Sequence, residues 1–127
     1  MIAVDTSALM AIVLGERLSD SCIAALEAED SILISAGTVA EALVVAVRKN
    51  VGQEVAGLIK DLDMQIVPVT LSVAQRIGEA YTRWGKGRHG ARLNFGDCFA
   101  YEVAKQNACP LLYIGKDFSR TDIESVL

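Results

Sequence analysis

At 127 residues, with 52% hydrophobic and 22% charged side chains and only two prolines, the chain has the composition of one well-packed domain over residues 1–127, which excludes a disordered or linker-rich protein. Its three cysteines form no C-x-x-C pair and its single histidine leaves no Cys/His zinc set, so reduced thiols are expected. A net charge of −4, no apolar run of the ~20 residues that a bilayer span needs, and no basic leader ahead of Asp5 point to a cytoplasmic protein without a membrane partner.

The chain opens on a short apolar run, Ile2-Ala3-Val4, that ends in Asp5; two hydroxyls follow at Thr6 and Ser7, and then the apolar stretch Leu9 to Leu14. That order reads as strand, acidic turn, helix. Leu18 to Ala28 resumes a helical pattern with Leu18, Cys22, Ala25 and Leu26 on one face, and Ile32-Leu33-Ile34 between two serines fits a buried strand. A helix is expected from Thr38 through Leu43, Val44 and Val47 to Arg48-Lys49-Asn50, a basic ending suited to a helix C-terminus. Val55 to Leu62 repeats the helical pattern, Gln65 to Val67 before Pro68 reads as a strand, and Ser72 to Trp84 as a helix with Val73, Ile77, Ala80 and Tyr81 inward. Asn94 to Gln106 is expected to be helical with Phe95, Cys98, Phe99 and Val103 inward, and Leu111 to Ile114 supplies a last strand. Strands alternating with helices predict an α/β fold on a central parallel sheet with right-handed crossovers.

Charge is unevenly spread. Residues 83–92 hold Arg83, Lys86, Arg88 and Arg92 with no acid, which leaves the rest of the chain with eight basic and sixteen acidic side chains, a net −8. A locally cationic loop on an acidic body suits a polyanion, with Lys86, Arg88 and Arg92 as phosphate contacts and Gly85, Gly87 and Gly90 freeing the backbone to follow a phosphate chain. Trp84 could stack on an unpaired base, but closing its helix against the core is the stronger expectation.

Four acids stand where a site would form. Carboxyl ends of parallel strands face the ligand crevice, so Asp5, Glu41 in the helix after the second strand, and Asp117 after the last strand are expected at one edge of the sheet. Asp97 starts a helix that leads into a strand, and is expected to reach the site from a loop. Each has a plainer reading: Asp5 as a helix N-cap, Thr38-x-x-Glu41 and Asn94-x-x-Asp97 as capping boxes, Asp117 or Asp122 as loop acids. Together they make a different case, because clustered carboxylates repel one another unless a cation neutralises them, and oxygen-only donors select Mg²⁺ or Mn²⁺. Ser7, or Thr6, is expected first as an N-cap and second as a group that orients a metal-bound water or a phosphate.

Asp5-Thr6-Ser7-Ala8, Glu41, Gly96-Asp97-Cys98-Phe99-Ala100-Tyr101, and Gly115-Lys116-Asp117-Phe118 with Thr121-Asp122 also resemble, in order and spacing, the PIN-domain family and within it the VapC-type ribonuclease toxins of bacterial toxin–antitoxin modules. The resemblance runs the length of the chain. It implies a three-layer α/β/α fold, a Mg²⁺-dependent endoribonuclease acting on RNA, a homodimer, and a VapB-like antitoxin through which alone DNA would be met. Asp5 and Asp97 match the metal-binding aspartates and Glu41 the helical glutamate. Tyr113-Ile114-Gly115 stands where many relatives carry an Asp or Asn, so the fourth acid is Asp117, favoured as nearer the strand end, or Asp122, which is expected to cap residues 123–126, or is absent.

Other chemistries fit worse. Cys98 lies on an apolar helical face with no third residue to complete a Cys–His pair with His89, no phosphate-cradling glycine motif exists, and a phosphoacceptor Asp5 beside Lys116 would leave Glu41 and Asp97 without a task. The alternative of another class is a catalytically silent PIN-like module that binds RNA or protein, against which the three acids weigh.

Overall fold

A computed structural model describes all of residues 1–127. Four parallel strands, β1 (Ile2–Val4), β2 (Ile32–Ser35), β3 (Gln65–Val67) and β4 (Leu111–Leu112), lie in the order β3-β2-β1-β4. Between them run α1 (Thr6–Val13), α2 (Ser19–Glu27), α3 (Ala36–Arg48), α4 (Gly52–Asp61), α5 (Leu71–Trp84) and α6 (Phe95–Gln106). The α/β expectation therefore holds, as does the three-layer arrangement.

Side-chain alternation along the strands explains the layers. Ile2 and Val4, Ile32 and Ile34, and Leu112 face one way and pack with Leu9, Leu26, Ala42 and Val55 of α1 to α4; Ala3, Leu33 and Leu111 face the other way and pack with Ile77, Trp84, Cys98 and Val103 of α5 and α6. Helices cover both faces of the inner strands, which is why β1, β4 and residues 32–34 of β2 are apolar at successive positions, whereas the edge strand β3 carries Gln65 and is largely exposed. Gly37 lets α3 and α6 cross closely, since a Cβ there would fall inside the Phe99 ring.

Several expectations need correction. Strand β4 is only two residues long, because the N–H of Ile114 leaves the ladder to donate to Ser7. Phe95 and Tyr81, expected inward, are exposed. Thr38 does not open α3: Ser35 is the N-cap, accepting from the Gly37 N–H, and the helix begins at Ala36, two residues before the sequence pattern suggests. Residues 123–126 run extended beside β4, with Leu111 N–H donating to Glu124 and Val126 N–H to Leu111, and it is Thr121 rather than Asp122 that accepts the Ile123 N–H. Trp84 is buried, donates its indole N–H to Tyr101 Oη at 2.9 Å and meets His89 edge-on, so the core reading of this residue stands and a base-stacking role falls away. The three thiols are unpaired.

Candidate active site

The strand order changes direction at β1, with β2 on one side and β4, reached last, on the other. That switch point opens a crevice at the carboxyl ends of β1 and β4, and Asp5 stands there. Asp5 is both of the things the sequence offered. It caps α1 by accepting the Ser7 N–H on Oδ2 at 3.1 Å, and the same oxygen accepts the Ser7 hydroxyl at 2.7 Å. Ser7 Oγ in turn accepts the Ile114 N–H at 3.0 Å, so one hydroxyl ties the end of β1 to the chain leaving β4. Neither Ser7 nor Thr6 is the cap; Ser7 fixes the carboxylate that is.

The second oxygen of Asp5, Oδ1, is buried and has no partner. Leaving a charged acceptor so costs several kcal/mol, on the order of the ~1–3 or more of an unmade buried hydrogen bond, unless something else meets it. Burial, with the Glu41 charge adding to it, pushes the Asp5 carboxyl up to about 6.

Asp97 reaches the crevice without a loop. A crossover helix runs antiparallel to the strands, so the helix that feeds β4 starts at the same carboxyl edge where β1 ends, and the sequence-based exception made for Asp97 disappears. Its capping box is real: Asn94 Oδ1 accepts the Asp97 N–H at 2.8 Å and Asp97 Oδ2 accepts the Asn94 N–H at 3.0 Å. Burial and the charges of Asp5, Asp117 and Glu41 push this carboxyl up to about 7 despite the bond from Asn94. Capping and clustering coexist because one oxygen serves each.

Glu41 makes no capping box. Its Oε1 accepts the Thr6 hydroxyl at 2.6 Å, and its carboxylate lies directly against Gly96, where a Cβ would occupy the space of the carboxylate itself. Three elements thus hold one side chain: α3 carries it, α1 donates to it, and the bare backbone of α6 makes room for it. Asp117 is exposed beyond β4, near enough for its charge to raise Asp97. Asp122 lies outside the cluster. It accepts from Tyr101 at 2.7 Å and Lys105 at 2.6 Å, one and two turns further along α6 than Asp97, with Arg83 at 3.8 Å. Burial disfavours its charge, but Lys105 and Tyr101 outweigh that and hold the carboxyl below its ordinary value.

The donor set suits a hard divalent cation. No three His, Cys, Asp or Glu side chains close around one point, so the protein alone cannot complete a coordination shell. Mg²⁺ does not require it to, since that ion keeps several waters and commonly takes one or two carboxylates. Asp5 Oδ1 and the shared repulsion with Asp97 are the features a cation would relieve.

Of the cationic loop, Lys86 and Arg92 line a groove that also holds Asn94, Asp117, Lys116 and Arg120. Arg88 is exposed but does not line it, and Arg83 stacks on Trp84 at 4.7 Å and faces Asp122. The loop is less free than its glycines suggest: Lys86 N–H donates to Leu93, Leu93 N–H to Trp84, and Ala91 N–H to His89 Nδ1. Lys116 and Arg120 were not legible as RNA contacts, because they join Lys86 and Arg92 only through the fold.

The PIN domain family model matches residues 2–124. The chain belongs to the PIN-domain family. Ribonuclease VapC36 of Mycobacterium tuberculosis is 40% identical over 125 residues, covering 95% of this chain and 90% of that protein, which places the chain among the VapC members of the PIN family. In fold, this PIN domain is similar to the crystal structure of Mycobacterium tuberculosis VapC20, described as a sarcin-ricin loop cleaving toxin, with a TM-score of 0.80 at 17% identity over 99% of this chain and 98% of that one. It is also similar to a chain of a toxin–antitoxin complex from Klebsiella pneumoniae, with a TM-score of 0.72 at 21% identity, covering 96% and 93%. No helix is long and apolar enough to cross a membrane.

Proposed function

We propose that this PIN domain is the endoribonuclease of a VapBC-type toxin–antitoxin pair, cutting RNA phosphodiester bonds with Mg²⁺ or Mn²⁺ held by Asp5 and Asp97. Family membership supports the class of reaction, and the single observation that carries the site is the unpartnered, buried Asp5 Oδ1 beside a second buried carboxylate. A bound ion would supply charge neutralisation for the transition state and a water activated at neutral pH.

The chain's own residues divide the remaining work. Ser7 holds Asp5 in one rotamer, Thr6 holds Glu41 where it can accept a proton from the attacking water, and Asp117 adds a fourth carboxylate at the open side of the crevice. Lys86 and Arg92, with Arg88 nearby, draw the substrate's phosphates toward an otherwise acidic body. Relatives in fold occur in toxin–antitoxin complexes, which supports an antitoxin partner here, and the exposed Val44 and Val47 on α3 support an interface of this chain with itself as a homodimer. All four carboxylates of the cluster being present speaks against a silent binding module.

Asp97→Asn tests the reading, because Asn keeps the volume and the cap while removing the charge. Cleavage of RNA and Mn²⁺ binding should both fall at least 100-fold with no loss of melting temperature. Full cleavage by that variant would refute the proposal.

A further inference from the structure

Beside the carboxylates, between α5 and α6, lies a second groove whose character is different. The buried Ile77 and Cys98 lie at its base, and the exposed Tyr81, Phe95 and Gly78 border it. Phe95 is 71% exposed although it is the first residue of α6, two positions from Asp97, and folding gives no reason for that exposure. Neither wall is loose. The Phe95 ring meets Phe99 edge-on at 4.9 Å, and the Tyr81 hydroxyl donates to the Lys86 carbonyl at 2.9 Å.

Lys86 and Asn94 line this apolar groove and the cationic groove around Asp117 alike, so the two are one continuous surface running past the start of α6. Cations at one end and an apolar groove lined by two exposed aromatic rings at the other repeat the alternation of a single-stranded nucleic acid, phosphate then base. An apolar peptide would fill that groove but would leave Lys86 and Arg92 unmatched.

We propose that the Tyr81–Phe95 groove is a base-stacking subsite, which takes one unpaired base of the RNA next to the phosphodiester at the carboxylates. The proposal rests on the ribonuclease reading above. Ring faces stack on any base, so the subsite selects an unstacked nucleotide more than a particular letter.

Gly78 gives a clean perturbation. A Cβ there meets nothing within 4 Å and the residue sits inside α5, so Gly78→Leu adds bulk to the groove's lining while improving helix propensity. The probe is a single-stranded oligoribonucleotide that the wild-type protein cleaves with Mn²⁺, together with copies carrying one abasic nucleotide scanned along the flanks of the cut; binding is measured in EDTA. Gly78→Leu and Phe95→Ala should each weaken binding roughly 5- to 100-fold, Phe95→Trp should keep it, and Mn²⁺ affinity and melting temperature should stay near wild type. One abasic position should cost the wild-type protein a similar factor and cost Gly78→Leu nothing further. Wild-type affinity in both Gly78→Leu and Phe95→Ala, or an abasic penalty that persists undiminished in Gly78→Leu, would overturn the subsite while leaving the ribonuclease reading intact. A wild-type protein that neither binds nor cuts RNA would overturn both.

Discussion

Asp5→Asn should make the metal-free protein more stable at neutral pH, although it removes a residue at the centre of the site. The reason lies in the cost of the ionised side chain. Asp5 has the ordinary value 3.8 in the unfolded chain and is pushed up to about 6 in the fold, first by burial and further by Glu41. Between those two values the folded protein holds a proton that the unfolded chain has already lost. Stability is therefore greatest below the unfolded value and falls as pH rises toward about 6, beyond which the loss is complete. At about 1.4 kcal/mol per pH unit the gap from 3.8 to about 6 corresponds to roughly 3 kcal/mol. Asp97, pushed up to about 7, acts in the same direction and extends the window. Asn caps a helix as well as Asp and its carbonyl can accept both bonds from Ser7, so little is lost. In EDTA at pH 8, Asp5→Asn should melt roughly 10 °C above wild type, and the difference should shrink toward zero at pH 4. Mn²⁺ should raise the wild type at pH 8 by an amount that grows with the logarithm of its concentration, and leave Asp5→Asn almost unmoved. Thermal melts by circular dichroism across this pH range read all three effects. An Asp5→Asn protein that melts below wild type at pH 8 in EDTA would show that the buried carboxylate is not a stored cost, and the argument for a cation at Oδ1 would lose its basis.

Asp117→Asn should lower Mn²⁺ affinity several-fold and Asp122→Asn should not, because only the first lies with Asp97; calorimetric titration separates them, and the opposite result would reassign the fourth acid. Gly96→Ala should cost more than 10-fold in RNA cleavage despite Ala's better helix propensity, since its Cβ displaces the Glu41 carboxylate; unchanged cleavage would mean that Glu41 is not needed where it stands. Replacing Lys86, Arg88 and Arg92 by Ala should weaken RNA binding and reduce its dependence on log[salt] by about 2, with Lys116→Ala and Arg120→Ala adding to the loss and Mn²⁺ affinity unaffected. An unchanged slope would place the RNA path elsewhere.

The sequence determined what is local. Apolar runs of three or four residues alternating with amphipathic stretches are enough to specify strands, helices and a sheet covered on both faces, and Asp5 and Asn94-x-x-Asp97 announce helix starts by residue type and spacing alone. The clustering of Asp5, Glu41, Asp97 and Asp117 could be anticipated because strand ends and crossover-helix starts share an edge in any parallel sheet. Only the tertiary structure decided what each acid does there. Thr38-x-x-Glu41 satisfies a capping pattern, yet Ser35 starts the helix first and frees Glu41 for Thr6, and no spacing in the chain links residue 41 to residue 6 or to the missing Cβ of Gly96. Asp122 looked like a site residue by its resemblance and place after the last strand, and Phe95 like a core residue by its helical period, but what either one meets depends on contacts between segments far apart in sequence. Tyr101 and Lys105 claim Asp122, while nothing in the fold covers Phe95.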